Sequence, residues 1–183
     1  MTAVPDRTRL RTVAGALAAA GLLALAPTAP AGADVTTPGS EDIPRAIVAS
    51  DDVKKCLEVA DWRTDDGAPV RLWSCTGGAN QQWVRRSDST YVNVHSGKCL
   101  EIPGSSTTWG TQADQWTCHG GPNQQWRMII LPQTAVFHLQ NEASRLFLDV
   151  SGAGTADGTP VIQWQPTMGA SNQYWRNDPS WRR

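Results

Sequence analysis

Past Ala26 the chain has no apolar run long enough to anchor it in a bilayer, which takes about 20 residues. It has no basic stripe either. Its 16 Lys and Arg and 17 Asp and Glu are scattered, for a formal net charge of −1. That balance counts against nucleic acid and anionic membrane surfaces as partners. Histidines number three, none in an H-E-x-x-H array, and there is no G-x-S-x-G turn to carry a nucleophile. No C-x-x-C element is present to begin a zinc site. The inventory points away from an enzyme and implies neither metal nor cofactor. Carboxylates are plentiful, so a glycosidase pair is not excluded by composition. Finally, no window after the first 33 residues keeps a helical hydrophobic period.

The N-terminus reads as a secretory signal peptide over residues 1–33. Arg7, Arg9 and Arg11 form a basic start, Val13 to Ala26 is apolar but too short to span, and Ala31-Gly32-Ala33 offers a small-residue cleavage site. Removing it makes the remainder more acidic. Residues 34–45, with Thr36, Thr37, Pro38, Gly39 and Ser40, read as a flexible lead-in. Residues 46–183 are the length of one domain and can bury a core without metals.

What the chain does contain is one block written three times. Asn80-Gln81-Gln82-Trp83, Asn123-Gln124-Gln125-Trp126 and Asn172-Gln173-Tyr174-Trp175 each close it. Counted from Cys56, Cys99 and Phe147, equal offsets give a glycine (Gly67, Gly110, Gly158) and a small apolar residue (Val70, Ala113, Val161). They then give a tryptophan: Trp73, Trp116 and Trp164. The third block reaches its Asn one residue late. Such periodicity means three copies of one supersecondary unit that together bury a core. Cys75 and Cys118 stand 19 residues after Cys56 and Cys99, and in the third block both positions change together, to Phe147 and Pro166. Paired loss is what disulfides Cys56–Cys75 and Cys99–Cys118 require. Each would close a loop worth on the order of 3 kcal/mol.

The local signals are for strands. Ala46-Ile47-Val48, Tyr91 to Val94 and Ala135 to Leu139 are short and β-branched or aromatic; Lys55 to Val59, Lys98 to Ile102 and Leu146 to Val150 alternate with period two. Asp66-Gly67, Gly77-Gly78, Gly120-Gly121-Pro122 and Asp157-Gly158 mark turns. The expectation is an all-β fold of about four strands per repeat. A propeller needs at least four blades, so three repeats must close around a threefold axis.

These blocks, C-L-[DE]-[VI], G-x-x-[VA]-x-x-W and N-Q-x-W in register over about Ala46 to Asn177, resemble the ricin B-type lectin domain. The family includes trefoil carbohydrate-binding modules of bacterial glycosidases. The resemblance implies a β-trefoil, a six-stranded barrel capped by three hairpins, with one shallow sugar pocket per repeat. In it the N-Q-x-W tryptophans, Trp83, Trp126 and Trp175, are core residues. A pocket consists of an Asp after C-L, the aromatic of the G-x-x-[VA]-x-x-W block, and the Asn of N-Q-x-W, with the adjoining Gln steadying the carboxylate. Repeat three then offers Asp149, Trp164, Asn172 and Gln173, all of the family type. Repeat one offers Glu58, Trp73, Asn80 and Gln81, and repeat two Glu101, Trp116, Asn123 and Gln124. There the extra methylene moves the carboxylate by about 1.5 Å. Repeat three is therefore expected to hold the best pocket, and shortening Glu58 and Glu101 to Asp to improve the others. Two residues before each pocket tryptophan stand Arg71, Asp114 and Ile162, where galactose-binding relatives often carry Gln. His119 is within reach of the repeat-two pocket or free in its loop. Trp62 and Trp109 lie on loops before the turn glycines, as rim platforms for a longer glycan or as packing beneath the loop.

The function these readings support is non-covalent, metal-independent binding of a carbohydrate by a secreted lectin through up to three shallow pockets. Multivalency would raise affinity for repeating glycans. The alternative is a degenerate trefoil that acts on a protein as a secreted inhibitor or scaffold, motivated by the two Glu substitutions.

Overall fold

The alternating segments fold as twelve short strands, four to a repeat. The structure, a computed structural model, describes residues 43–52 and 54–178. The signal peptide read over residues 1–33, most of the lead-in, and residues 179–183 lie outside the described residues. Repeat one supplies β1 (Arg45–Ala49), β2 (Lys55–Val59), β3 (Ala68–Ser74) and β4 (Gln82–Arg85). Repeat two supplies β5 (Tyr91–Asn93), β6 (Cys99–Glu101), β7 (Asp114–Trp116) and β8 (Trp126–Ile130). Repeat three supplies β9 (Val136–Asn141), β10 (Phe147–Val150), β11 (Val161–Trp164) and β12 (Trp175–Asp178). β1 begins inside the stretch read as lead-in, because Arg45 pairs with Trp83 across the sheet.

Two layers arise from two kinds of pairing. The outer strands of the repeats join into a ring: β12 with β1, β1 with β4, β4 with β5, β8 with β9 and β9 with β12. A Thr90–Gln125 bridge closes the remaining gap between repeat two's own ends. The inner strands form three hairpins, β2–β3, β6–β7 and β10–β11. They meet where β3 pairs with β7 and through the bridges Arg71–Pro160 and Gln112–Ile162. A six-stranded barrel capped by a triplet of hairpins is a pseudo-threefold β-trefoil.

The core is the same set of positions taken three times. Leu57, Leu100 and Leu148, Val59, Ile102 and Val150, and Val70, Ala113 and Val161 all lie buried around Trp83, Trp126 and Trp175. A buried indole needs a partner for its N–H. Each of the three donates at 3.0 Å to the backbone carbonyl of Leu57, Leu100 or Leu148 of its own repeat. Disulfides Cys56–Cys75 and Cys99–Cys118 hold the ends of the first two hairpins. In the third, Phe147 stacks instead on His138, with ring centroids 4.4 Å apart. Neighbouring repeats are joined by buried amides: Asn93 and Asn141 donate at 2.9 Å to the carbonyls of Asn80 and Asn123 in the preceding repeat.

Because each N-Q-x-W indole is both fully buried and hydrogen-bonded, Trp126→Ala should cost about 3–5 kcal/mol in urea unfolding, and Trp126→Phe clearly less.

Candidate functional site

The hairpin register puts the same three positions together in every repeat. Cys56, Cys99 and Phe147 stand opposite Trp73, Trp116 and Trp164, so two residues further along the carboxylates Glu58, Glu101 and Asp149 stand opposite Arg71, Asp114 and Ile162. Side chains two apart on a strand share a face. Carboxylate, tryptophan and the residue opposite the carboxylate therefore face the same way. The short turn carrying N-Q-x-W closes over them.

The glutamine of that turn does the same work three times. Nε2 of Gln81, Gln124 and Gln173 donates to Glu58 Oε2 at 2.7 Å, Glu101 Oε2 at 2.7 Å and Asp149 Oδ2 at 2.9 Å. It donates also to the carbonyls of Ser74, Thr117 and Gln165. Its oxygen accepts from the N–H of Thr76, His119 and Thr167. These glutamines are fully buried braces of the carboxylate.

The turn glycines tie each site to the neighbouring repeat. Gly67, Gly110 and Gly158 have φ of 78°, 81° and 89°, where a side chain is strained. A Cβ on each would lie 3.6–3.9 Å from the ring of Trp116, Trp164 and Trp73 in turn. Every pocket tryptophan is thus backed by the hairpin turn of the preceding repeat.

From this common frame the sites diverge. In repeat one Arg71 fills the space in front of the tryptophan. Its guanidinium lies 4.0 Å from the Trp73 ring centroid, donates to Glu58 Oε1 at 3.0 and 3.2 Å and reaches Asp61 Oδ1 at 2.9 Å. A guanidinium over an indole face is a favourable cation–π contact. Asp61 and Trp62 both take left-handed φ, 54° and 56°. The same two positions are Gly104-Ser105 and Gly152-Ala153 in the other repeats, with the same sign of φ. A bulky residue pays strain of about 1–3 kcal/mol there. The result turns Trp62 against Gly78, where a Cβ would come within 2.8 Å of its ring. Asn80 beneath is 1% exposed; it donates to Val59 O at 3.1 Å, and its Oδ1 has no hydrogen-bond partner among the described residues.

In repeat two His119 covers the equivalent amide. A Cβ on Gly121 would meet both the His119 ring and Asn123 Oδ1 within 3 Å. Asn123 is buried and donates to Ile102 O at 3.1 Å. Gly121 N–H occupies His119 Nδ1, which puts the neutral ring's hydrogen on Nε2, 3.3 Å from Glu101 Oε2. Asp114 is buried opposite Glu101, and its Oδ1 has no hydrogen-bond partner among the described residues. Burial, and then the charge of Glu101, push its pKa up to about 7.

Repeat three is open. Asp149, Ile162, Trp164, Thr167, Asn172 and Gln173 line a cavity of about 410 Å³. Asn172 is half-buried and spans the carboxylate, donating to Asp149 Oδ1 and Oδ2 at 2.9 and 3.0 Å and to Val150 O at 3.1 Å. Burial raises the Asp149 pKa, and the hydrogen bonds from Gln173 and Asn172 pull it back. The structure therefore brings every sequence-selected group into one of three clusters, which differ in what covers them. At Glu58 it is Arg71 and Gln81 that already bind the carboxylate, and Arg71 also covers the ring. Asn80 and Asn123, expected to face a ligand, are buried under Trp62 and His119. Asn93, Asn141 and the cross-repeat braces Gln115 and Gln163 were not singled out in the sequence, although each pair shares one offset from Cys99 and Phe147. Among the described residues, no group of three or more His, Cys, Asp or Glu could hold a metal ion, and no helix is long and apolar enough to cross a membrane.

A family model described as ricin-type beta-trefoil lectin domain-like matches residues 87–164 and 132–181. The designed threefold-symmetric protein ThreeFoil is similar, at 40% identity over 73% of this chain and 96% of its own, with a TM-score of 0.68. An exo-β-1,3-galactanase from Clostridium thermocellum shares 27% identity over 76% of this chain but 30% of its own, with a TM-score of 0.70. The Macrolepiota procera ricin B-like lectin, solved in complex with lactose, has the same fold at 22% identity, covering 76% of this chain and 96% of its own, with a TM-score of 0.65. Serine protease 1 of Rarobacter faecitabidus is 53% identical over 32 residues, which are 18% of this chain and 6% of that protein. The chain thus spans a small part of the protease and under a third of the galactanase. The chain belongs to the ricin-type β-trefoil lectin family.

The pKa of Asp114 makes a prediction about stability. Raised in the folded state to about 7 from 3.8, it favours the folded protein fully below about pH 4 and loses that contribution as pH rises through 7. Asp114→Asn should flatten this part of the pH profile and stabilise the protein at pH 8 by roughly 2–4 kcal/mol. Urea unfolding between pH 4 and 8 measures it.

Proposed function

We propose that the protein is a secreted, non-catalytic lectin that binds carbohydrate chiefly through the repeat-three site. Residues 46–183 form the lectin domain, behind an export signal over residues 1–33. The observation that carries this reading is the open cavity that unites Asp149, Trp164 and Asn172, beside a repeat-one site filled by Arg71 and a repeat-two site whose Glu101 and Asn123 are covered by His119. Three hydrogen bonds already brace the Asp149 carboxylate, and its remaining acceptor position, on Oδ1, takes a sugar hydroxyl. The exposed Trp164 ring takes the C–H face of a pyranose, and the Asn172 oxygen accepts from a further hydroxyl. Ile162 gives the cavity an apolar flank where Arg71 places a charge and Asp114 a carboxyl group.

The Arg71-filled site of repeat one and the His119-covered amide of repeat two favour a second reading, in which those faces serve a protein partner instead. A glycan array followed by calorimetric titration separates the two. Lactose and β-1,3-galactan, named for the Macrolepiota and Clostridium proteins, are natural first probes. Asp149→Ala should abolish the response, and Trp164→Ala should weaken it by roughly 1–3 kcal/mol. Glu58→Ala should leave it unchanged. A wild-type protein that binds no glycan would leave the protein-binding reading in its place.

A further inference from the structure

The threefold repeat supplies an internal control for one residue that the pockets do not use. Before the turn glycines stand Asp66, Trp109 and Asp157. The two aspartates clamp the next repeat. Asp66 pairs with Lys98 Nζ at 2.7 Å and accepts from Thr117 N–H at 2.7 Å, and Asp157 pairs with Lys55 Nζ at 2.6 Å and accepts from Ser74 N–H at 2.6 Å. At the junction of repeats two and three the whole clamp is replaced. Trp109 stands for the aspartate, Leu146 for the lysine, and Gln165 for the serine or threonine.

The tryptophan is not there to fill the core, since it is 53% exposed. Nor is it needed to fix its loop, which the backbone holds without it. Gly110 N–H donates to Gln163 O at 2.8 Å, and Gln163 Nε2 donates back to Ser106 O and Thr108 O at 2.8 and 3.0 Å. Thr111 Oγ1 adds a bond to Thr108 O at 2.8 Å. A rigid turn thus presents an exposed indole whose ring centroid lies 5.8 Å from that of Trp164, tilted by 53°. Trp164, 37% exposed, is the aromatic wall of the Asp149 cavity. Large rigid aromatics on a fixed backbone lose little conformational entropy when they bind.

We infer that the repeat-three site continues across the repeat boundary onto Trp109 and reads a glycan of at least two pyranose units. One ring sits in the Asp149 cavity against Trp164, and the adjoining ring packs its C–H face on Trp109. Repeats one and two have no counterpart, because Asp157 and Asp66 occupy the matching positions beside Trp73 and Trp116. This inference rests on the carbohydrate reading of the same cavity.

The test is calorimetric titration of the full chain with soluble mono-, di- and tetrasaccharide series of β-1,3-galactan, β-1,4-galactan, β-1,4-xylan and β-1,4-glucan. For a series that binds, wild type should gain at least tenfold in affinity from mono- to disaccharide. Trp109→Ala should remove that gain and leave monosaccharide affinity unchanged, Trp109→Phe should keep part of it, and Asp149→Ala should abolish binding at every length. Trp109 is exposed, so its variants should match wild type in thermal unfolding. A full gain retained in Trp109→Ala overturns the second subsite while leaving the lectin reading intact. Failure of all four series to bind wild type overturns the inference, while the glycan array decides the lectin reading on its own.

Discussion

The hydrogen bond from a buried indole to a strand carbonyl is the interaction on which the rest of this molecule hangs. Trp83, Trp126 and Trp175 belong to the barrel, while the carbonyls of Leu57, Leu100 and Leu148 belong to the capping hairpins. The residue after each leucine is the site carboxylate. One bond per repeat therefore fills the core, fastens cap to barrel and fixes the place of Glu58, Glu101 or Asp149. Two residues before each indole, the buried glutamine of the same motif grips that carboxylate directly. Stability and site geometry share four consecutive residues, so neither can drift without the other.

On that common scaffold, chemistry varies at the position across the strand from the carboxylate. Arginine there satisfies the carboxylate from within and covers the aromatic face. Aspartate brings a second carboxyl into a poorly solvated place, where it holds its proton to about pH 7. Isoleucine neither fills the space nor competes for the carboxylate, and the cavity stays open. One substitution site per repeat turns the same geometry into a closed, a proton-holding or an open cluster.

Much of this was legible in the sequence because it is periodic. The offsets from Cys56, Cys99 and Phe147 carry the strands, the buried tryptophans, the disulfides and the grouping of Asp149 with Trp164, Asn172 and Gln173. What the sequence hid is the direction of side chains where the repeats differ. Arg71 can point to solvent or lie back over Trp73, and only the presence of both Glu58 and Asp61 within its reach decides it. Trp62 lies over Gly78 with half its surface exposed, on the same left-handed φ that Ser105 and Ala153 adopt, so the backbone alone does not give its direction. The pairing of Trp109 with Trp164 depends on contact between different repeats, which comparison of one repeat with another does not reveal.

The turn glycines carry a consequence for how such a protein could arise. Gly67 lies behind Trp116, Gly110 behind Trp164 and Gly158 behind Trp73, so the rear wall of every site is lent by another copy. A lone repeat would own a carboxylate, an amide and an indole, but the indole would stand unsupported in water. A chain one repeat long would complete that wall by assembling as a ring of three identical copies. Fusion of the copies then frees each junction to differ, as the one bearing Trp109 does. The unit of specialisation in this molecule is the seam between repeats.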